Sequence, residues 1–166
     1  MTQAPAGSTG PLAPEWRVAE WFNTESPLTL TGLREKVIVL HAFQMLCPGC
    51  VREGTPQAQR IAQHFDPSEV AVIGLHTVFE HHDVMTPRAL AVFIHENRLS
   101  FPIGVDQPDE QNGIPITMQR YQMRGTPTLI IIDQIGRLRL HEFGHVLDLV
   151  VGTIIGKLLG EAADPD

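Results

Sequence analysis

Apolar residues follow two rhythms along this chain, and the change from one to the other predicts its elements. Val37–Phe43 is an unbroken apolar run rich in β-branched side chains, the pattern of a strand covered on both faces. Val70–Leu75 and Thr128–Asp133 repeat it. Arg137–His141 alternates apolar and polar positions instead, which predicts an antiparallel strand with one wet face, turned back by Gln134–Gly136. Trp16–Asn23 reads as an early strand or hairpin arm that Leu28–Gly32 continues, with Leu33–Lys36 as a short helical turn and Phe101–Val105 as a further short strand. Helical spacing covers Cys50 to about Phe65, bent near Gly54 and Pro56. A second helix runs from Pro87 to about Asn97, with Thr86 as its N-cap and Leu90, Phe93 and Ile94 on its apolar face. Thr117–Tyr121 and Leu147–Leu159 read as the remaining helices, with a polar loop at Asp106–Pro115.

This order of elements predicts an α/β fold with a mixed sheet. Residues 15–160 read as a single domain, between a tail rich in Pro, Gly, Ala and Ser at residues 1–14 and an acidic tail at residues 161–166. Composition narrows the picture further. A chain of 166 residues with 43% apolar content can bury a full core. Its net charge of −7 speaks against nucleic acid as a partner, because phosphates require a basic surface. The apolar runs are too short to cross a membrane as helices. Residues 1–11 lack the basic start and apolar stretch of a secretory leader, so a cytoplasmic location is expected, or a periplasmic one if a leader has been removed. A monomer and a homodimer both fit.

The chemistry concentrates in Cys47-Pro48-Gly49-Cys50, which holds both cysteines of the chain at the end of the first buried strand. A bridge closing so short a loop restrains little chain entropy, so a purely structural disulfide is the weaker reading. A strand that delivers a Cys-x-x-Cys to a helix start brings a thiol to the unpaired N–H groups of the first turn, which favour the thiolate. Cys47 is expected to attack and Cys50, one turn further in, to resolve.

This motif, followed far downstream by Gly125-Thr126-Pro127-Thr128 opening another strand, resembles the thioredoxin superfamily. Residues 21–36, Phe101–Asp106 and Leu129–Gly136 resemble its TlpA/ResA-like, redoxin branch, and the likeness covers about Trp16 to Leu159. The resemblance implies a thioredoxin-like fold: a central mixed sheet flanked by helices, with an N-terminal strand or hairpin extension. It implies a thiol–disulfide oxidoreductase that acts on protein or small-molecule disulfides, draws on a thioredoxin-type reductant, and needs no cofactor or metal. Pro127 would be a cis-proline, with the Thr126 backbone offered to a substrate strand beside Pro48 and Gly49. Glu53 matches a glutamate found near the dithiol in ResA-like proteins. If buried it could carry protons for Cys50; otherwise it is a first-turn glutamate placed by the helix dipole. His41 stands where thioredoxin carries a buried aspartate. It could move protons or favour the thiolate as a cation, or be a core histidine satisfied by a hydrogen bond.

Several positions depart from that pattern. Leu46 replaces the tryptophan usual before the first cysteine, and Arg52 and Arg124 could bring positive charge near Cys47 or simply be solvated. A peroxiredoxin-like peroxidase is an alternative, but Gln44 and Leu40 stand where its pocket residues would be. A non-catalytic dithiol sensor is another. His76, Glu80, His81, His82 and Asp83 do not follow metal-ligand spacing. Their loop and Asp106–Pro115 are expected either to rim the dithiol or to be ordinary solvated loops.

Overall fold

The computed structural model describes residues 10–162. Its sheet has the strand order β1-β4-β3-β2-β5-β6, with β1 Val18–Phe22, β2 Val37–Phe43, β3 Val70–His76, β4 Ile103–Asp106, β5 Thr128–Ile132 and β6 Leu138–Phe143. β2, β3 and β4 run parallel, whereas β1, β5 and β6 pair antiparallel to their neighbours. The predicted mixed sheet is therefore present. The parallel strands require crossovers, and these carry the first helix and α2. The first helix ends in α1 Thr55–His64, α2 is Pro87–Glu96, α3 is Ile116–Arg120 and α4 is Asp148–Ala162.

β2 is buried along its whole length, as its continuous apolar run requires. Alternation sends Val37, Val39 and Phe43 into a core shared with Ala58 and Ile61 of α1, Leu90 and Ile94 of α2, and Val151, Ile155 and Leu158 of α4. Ile38, Leu40 and Ala42 face the other way, onto Trp16, Leu30, Leu33, Met118 and Tyr121. The Thr86 hydroxyl accepts the Ala89 N–H at 3.2 Å, the expected cap of α2.

Three expectations need correction. Leu28–Gly32 does not continue β1. The chain there enters a 3₁₀ turn at Thr31–Leu33 that drops Leu30 and Leu33 into the core, while Trp16 Nε1 donates to the Leu28 carbonyl at 2.7 Å. Of the N-terminal tail, residues 1–9 lie outside the described residues, but residues 10–13 are tied to the start of β6. Leu12 bridges Arg137, and Leu138 N–H donates to the Pro11 carbonyl at 2.9 Å. Of the acidic tail, Glu161 belongs to α4 and pairs with Arg139 at 2.6 Å, and residues 163–166 lie outside the described residues. Both tail residues and helix end are held by partners distant in sequence.

The first helix begins at Pro48, and its predicted bend takes a definite form. Pro56 has no N–H for the Arg52 carbonyl and would crowd it, so the helix widens into a π turn over Cys50–Gly54, closed by Thr55 N–H on the Cys50 carbonyl.

Candidate active site

Where β2 ends, at the centre of the sheet, the chain turns through Gln44-Met45-Leu46 and places Cys47 at the mouth of the helix. The Cys47 carbonyl accepts the Val51 N–H at 3.0 Å, and its sulfur accepts the Cys50 N–H at 3.3 Å. The sulfur thus sits where the oxygen of a capping side chain would. The Cys47 thiol also lies 3.5 Å from the Thr126 carbonyl as its donor. Cys47 is half-buried, and Cys50 is 0% exposed. Burial pushes the Cys50 thiol up to about 12, reinforced by the neighbouring Cys47 and opposed by the Gln44 backbone N–H and the Thr126 hydroxyl.

The Thr126–Pro127 peptide bond is cis. Two glycines let the helix approach this loop closely. A Cβ on Gly49 would lie 3.3 Å from Pro127 Cδ, and one on Gly54 would lie 3.2 Å from Pro127 Cβ and 2.5 Å from His41 Cε1. Gly49 thus seats the helix on Pro127 rather than lining the open groove. Pro48 and Thr126 do line it, together with Leu46, Cys47, Phe79, Glu80, His81, Val84, Met85, Arg124, Gly125 and Phe143, around a volume of about 550 Å³. Leu46, 54% exposed, offers an aliphatic wall where an aromatic platform is missing. Arg124 shares the groove with Cys47, its guanidinium 5.6 Å from the centre of the Phe143 ring. Arg52 is exposed and takes no part in the groove. A somewhat larger cavity, about 670 Å³ between β1 and α2, holds neither cysteine.

Of the two loops expected at the rim, only one reaches it. Phe79, Glu80 and His81 form one wall of the groove. Asp106–Pro115 stands behind them as a buttress, joined by His82 Nε2 to the Gly113 carbonyl at 3.1 Å. The buried Asp106 carboxylate accepts from the Thr77 hydroxyl at 2.9 Å and from the Thr117 and Met118 N–H groups at 2.8 and 3.0 Å, closing the start of α3. His76 is a buried support: its Nε2 accepts the Met45 N–H at 3.1 Å, and burial lowers its pKa from 6.5 to about 4.

Neither proton carrier suggested by the sequence is placed for that work. Glu53, with its side chain 55% exposed, points to solvent and lies 3.9 Å from His145, so the burial its role required is absent. His41 is buried and bonded through Nε2 to the Thr55 hydroxyl at 3.0 Å, and its ring stacks on Phe43. Desolvation lowers its pKa from 6.5 to about 3, so it is neutral and cannot act as the cation proposed for it. The residue that sequence reasoning passed over is Gln44. It is buried, and its side chain reaches Phe79, Glu80 and Thr126, while its carbonyl accepts the Cys47 N–H at 3.1 Å. A polar residue directly after a wholly buried strand and three before the first cysteine was the available signal.

Comparison with known proteins agrees with this fold. The chain superposes on the crystal structure of a thioredoxin-like superfamily protein with 56% identity and a TM-score of 0.88, over 90% of this chain and 96% of that one. A thiol-disulfide isomerase from Corynebacterium glutamicum is 54% identical, with a TM-score of 0.86 over the same shares. A thioredoxin-like protein solved in its oxidized form shares the fold at 21% identity, with a TM-score of 0.73 over 92% of this chain and 97% of that one. Among curated proteins, none matches this sequence. The profile of the AhpC/TSA family matches residues 9–141, most of the chain. With the sheet order and these neighbours, that match settles the kinship: the protein belongs to the AhpC/TSA family and is built on the thioredoxin-like fold.

Proposed function

We propose that the protein is a thiol–disulfide oxidoreductase in which Cys47 attacks a substrate disulfide and Cys50 resolves the mixed disulfide. The observation that carries this reading is the inequality of the two thiols. Cys47 opens on the groove, whereas Cys50 is sealed behind it with its N–H on the Cys47 sulfur. A buried thiol pushed up to about 12 stays protonated and cannot compete for the first attack. The Cys47 thiolate forms a bond to one substrate sulfur and expels the other as thiolate. Cys50, deprotonated, then bonds to Cys47 and expels the first sulfur. Two electrons pass to the substrate, the dithiol becomes a disulfide, and the departing sulfurs take up two protons.

The apolar walls formed by Leu46, Phe79, Val84 and Phe143 suit a segment of polypeptide better than a small hydrophilic disulfide. A thioredoxin-type dithiol in the cytoplasm would restore the reduced form. Reduction of insulin by the purified protein tests the reading: the wild type turns over and Cys47→Ser does not. A wild type without turnover would overturn it. The AhpC/TSA match favours peroxide reduction as a second reading. Peroxide consumption that survives in Cys50→Ser would support it.

A further inference from the structure

Arg124 is the single Lys or Arg side chain that lines the groove beside Cys47, and thiol–disulfide exchange by itself gives it no task. We propose that Arg124 is a specificity-determining residue, its guanidinium binding the carboxylate of an acidic residue that flanks the disulfide of a polypeptide substrate. This deepens, and rests on, the reading of Cys47 as the thiol that attacks such a substrate.

A series of contacts fixes where the guanidinium stands. The Cys47 sulfur lies 3.5 Å from the Thr126 carbonyl. Just before Thr126, Gly125 packs so closely against Phe143 that a Cβ there would lie 2.9 Å from the ring. Phe143 is itself held in place, since it pairs with Thr128 in the sheet. The next residue, Gly144, donates its N–H to the Pro127 carbonyl at 2.8 Å. The Arg124 guanidinium rests 5.6 Å from the centre of that ring. An arginine seated on an aromatic face gives up rotamer freedom before a ligand arrives, which lowers the cost of binding one.

No acid of the chain occupies this guanidinium. Arg60 pairs with Asp148, and Arg139 with Asp133 and Glu161, but among the described residues no carboxylate pairs with Arg124. The chain holds 19 Asp and Glu against 12 Lys and Arg, so acids are not scarce. Glu80, the acid that lines the same groove, is turned instead toward Gln44, whose amide nitrogen lies 3.4 Å from its Oε1. The planar fork left open matches a carboxylate, which can accept two parallel N–H bonds from it. The net charge of −7 repels an acidic partner at a distance, but physiological salt screens exposed charges beyond about 8 Å. Local contact with Arg124 therefore sets the preference.

Peptides carrying one cysteine as a mixed disulfide with 2-thiopyridine test this, with the protein in excess. The Cys47 thiolate bonds to the peptide sulfur, and the electron pair of the broken S–S bond leaves on the pyridine sulfur. That group takes up a proton, and the released thiopyridone is read by its absorbance. The peptides bear Glu or Gln immediately before or immediately after the cysteine. At one or both positions the Glu-to-Gln ratio of release rates should be about threefold higher for the wild type than for Arg124→Gln. The intrinsic reactivity of each peptide cancels from that comparison. Arg124→Lys, which keeps the charge but not the fork, should give an intermediate ratio, as should Phe143→Leu, which removes the ring. Arg52→Gln, which removes a charge outside the groove, should keep the wild-type ratio. Equal ratios in wild type and Arg124→Gln at both positions overturn the inference. So does an Arg52→Gln ratio lowered as far as that of Arg124→Gln, because net charge alone would then explain the preference. Failure of the underlying reading looks different: thiopyridone release would persist in Cys47→Ser, or be absent from the wild type with every peptide, and the inference would fall with it.

Discussion

Two polar pairs flank the dithiol helix, one buried and one part-buried, and each joins a side chain from the end of β2 to a threonine hydroxyl. His41 meets Thr55 beneath the helix, and Gln44 meets Thr126 beside it. His41 follows the strand's alternation into the helical core, where its ring lies 5.1 Å from Phe43 and its proton affinity collapses. Gln44 lies just past the strand, where alternation no longer governs, and its amide reaches residues that form the groove. The titratable group is thereby made inert, and the untitratable one braces residues that line the groove. Burial without a charged partner strips a histidine of its function as a cation, whereas an amide keeps its hydrogen bonds at any pH.

The sharpest break of this comparison is Gly54→Ala, because Gly54 lies between His41 and Pro127. The added methyl would meet His41 Cε1 at 2.5 Å and Pro127 Cβ at 3.2 Å, so the ring or the helix must shift. A loss of about 1–3 kcal/mol in urea unfolding and slower insulin reduction are expected. Wild-type stability would show that the helix is free to lift away from β2.

His41→Leu separates the pairs. His41 and His76 stand below the ordinary 6.5, at about 3 and about 4, because burial disfavours their cations. As pH falls below 6.5 the unfolded chain binds protons first, so stability declines toward pH 4, by up to about 1.4 kcal/mol per pH unit for each histidine. Asp106, raised by burial, opposes this slope equally in wild type and variant. His41→Leu should flatten the acid slope by one proton and cost about 1 kcal/mol at neutral pH through the lost Thr55 bond. Insulin reduction should stay at its wild-type rate. An unchanged acid slope would mean that His41 titrates normally, which would restore it as a proton carrier.

Glu53→Gln should produce the smallest change. A solvent-facing carboxylate 3.9 Å from an imidazole contributes little, so insulin reduction should stay within about twofold of wild type near neutral pH. A tenfold or greater loss would return Glu53 to the chemistry.

What the sequence carried was what neighbouring residues decide among themselves. The run Val37–Phe43 had to be a covered strand, Thr86 had to cap α2, and Pro56 had to disturb the helix after Cys50. The same local logic marked Cys47 and Cys50 as the reactive pair, and their unequal burial agrees with the roles proposed for them. Leu28–Gly32 was misread because Leu28 and Leu30 alternate as in a strand while Leu30 and Leu33 stand three apart as in a 3₁₀ turn, and only the core selects between the two spacings. For Glu53 the sequence left two readings open, and the π turn decides between them. Three residues advance about 300° around an α-helix but less around a wider turn, so Glu53 stops short of the face that Cys50 occupies.

The sequence marked Gln44 as out of place but not what it bonds, because its partners lie 35, 36 and 82 positions away and meet it only when β2, the β3–α2 loop and the loop before β5 converge. The sequence alone determined that a dithiol stands at a helix mouth, since covalent spacing and helix-start chemistry are local. Only the tertiary structure decided which polar groups surround it, because burial, hydrogen-bond partners and the charge a side chain can hold depend on residues brought together from across the chain.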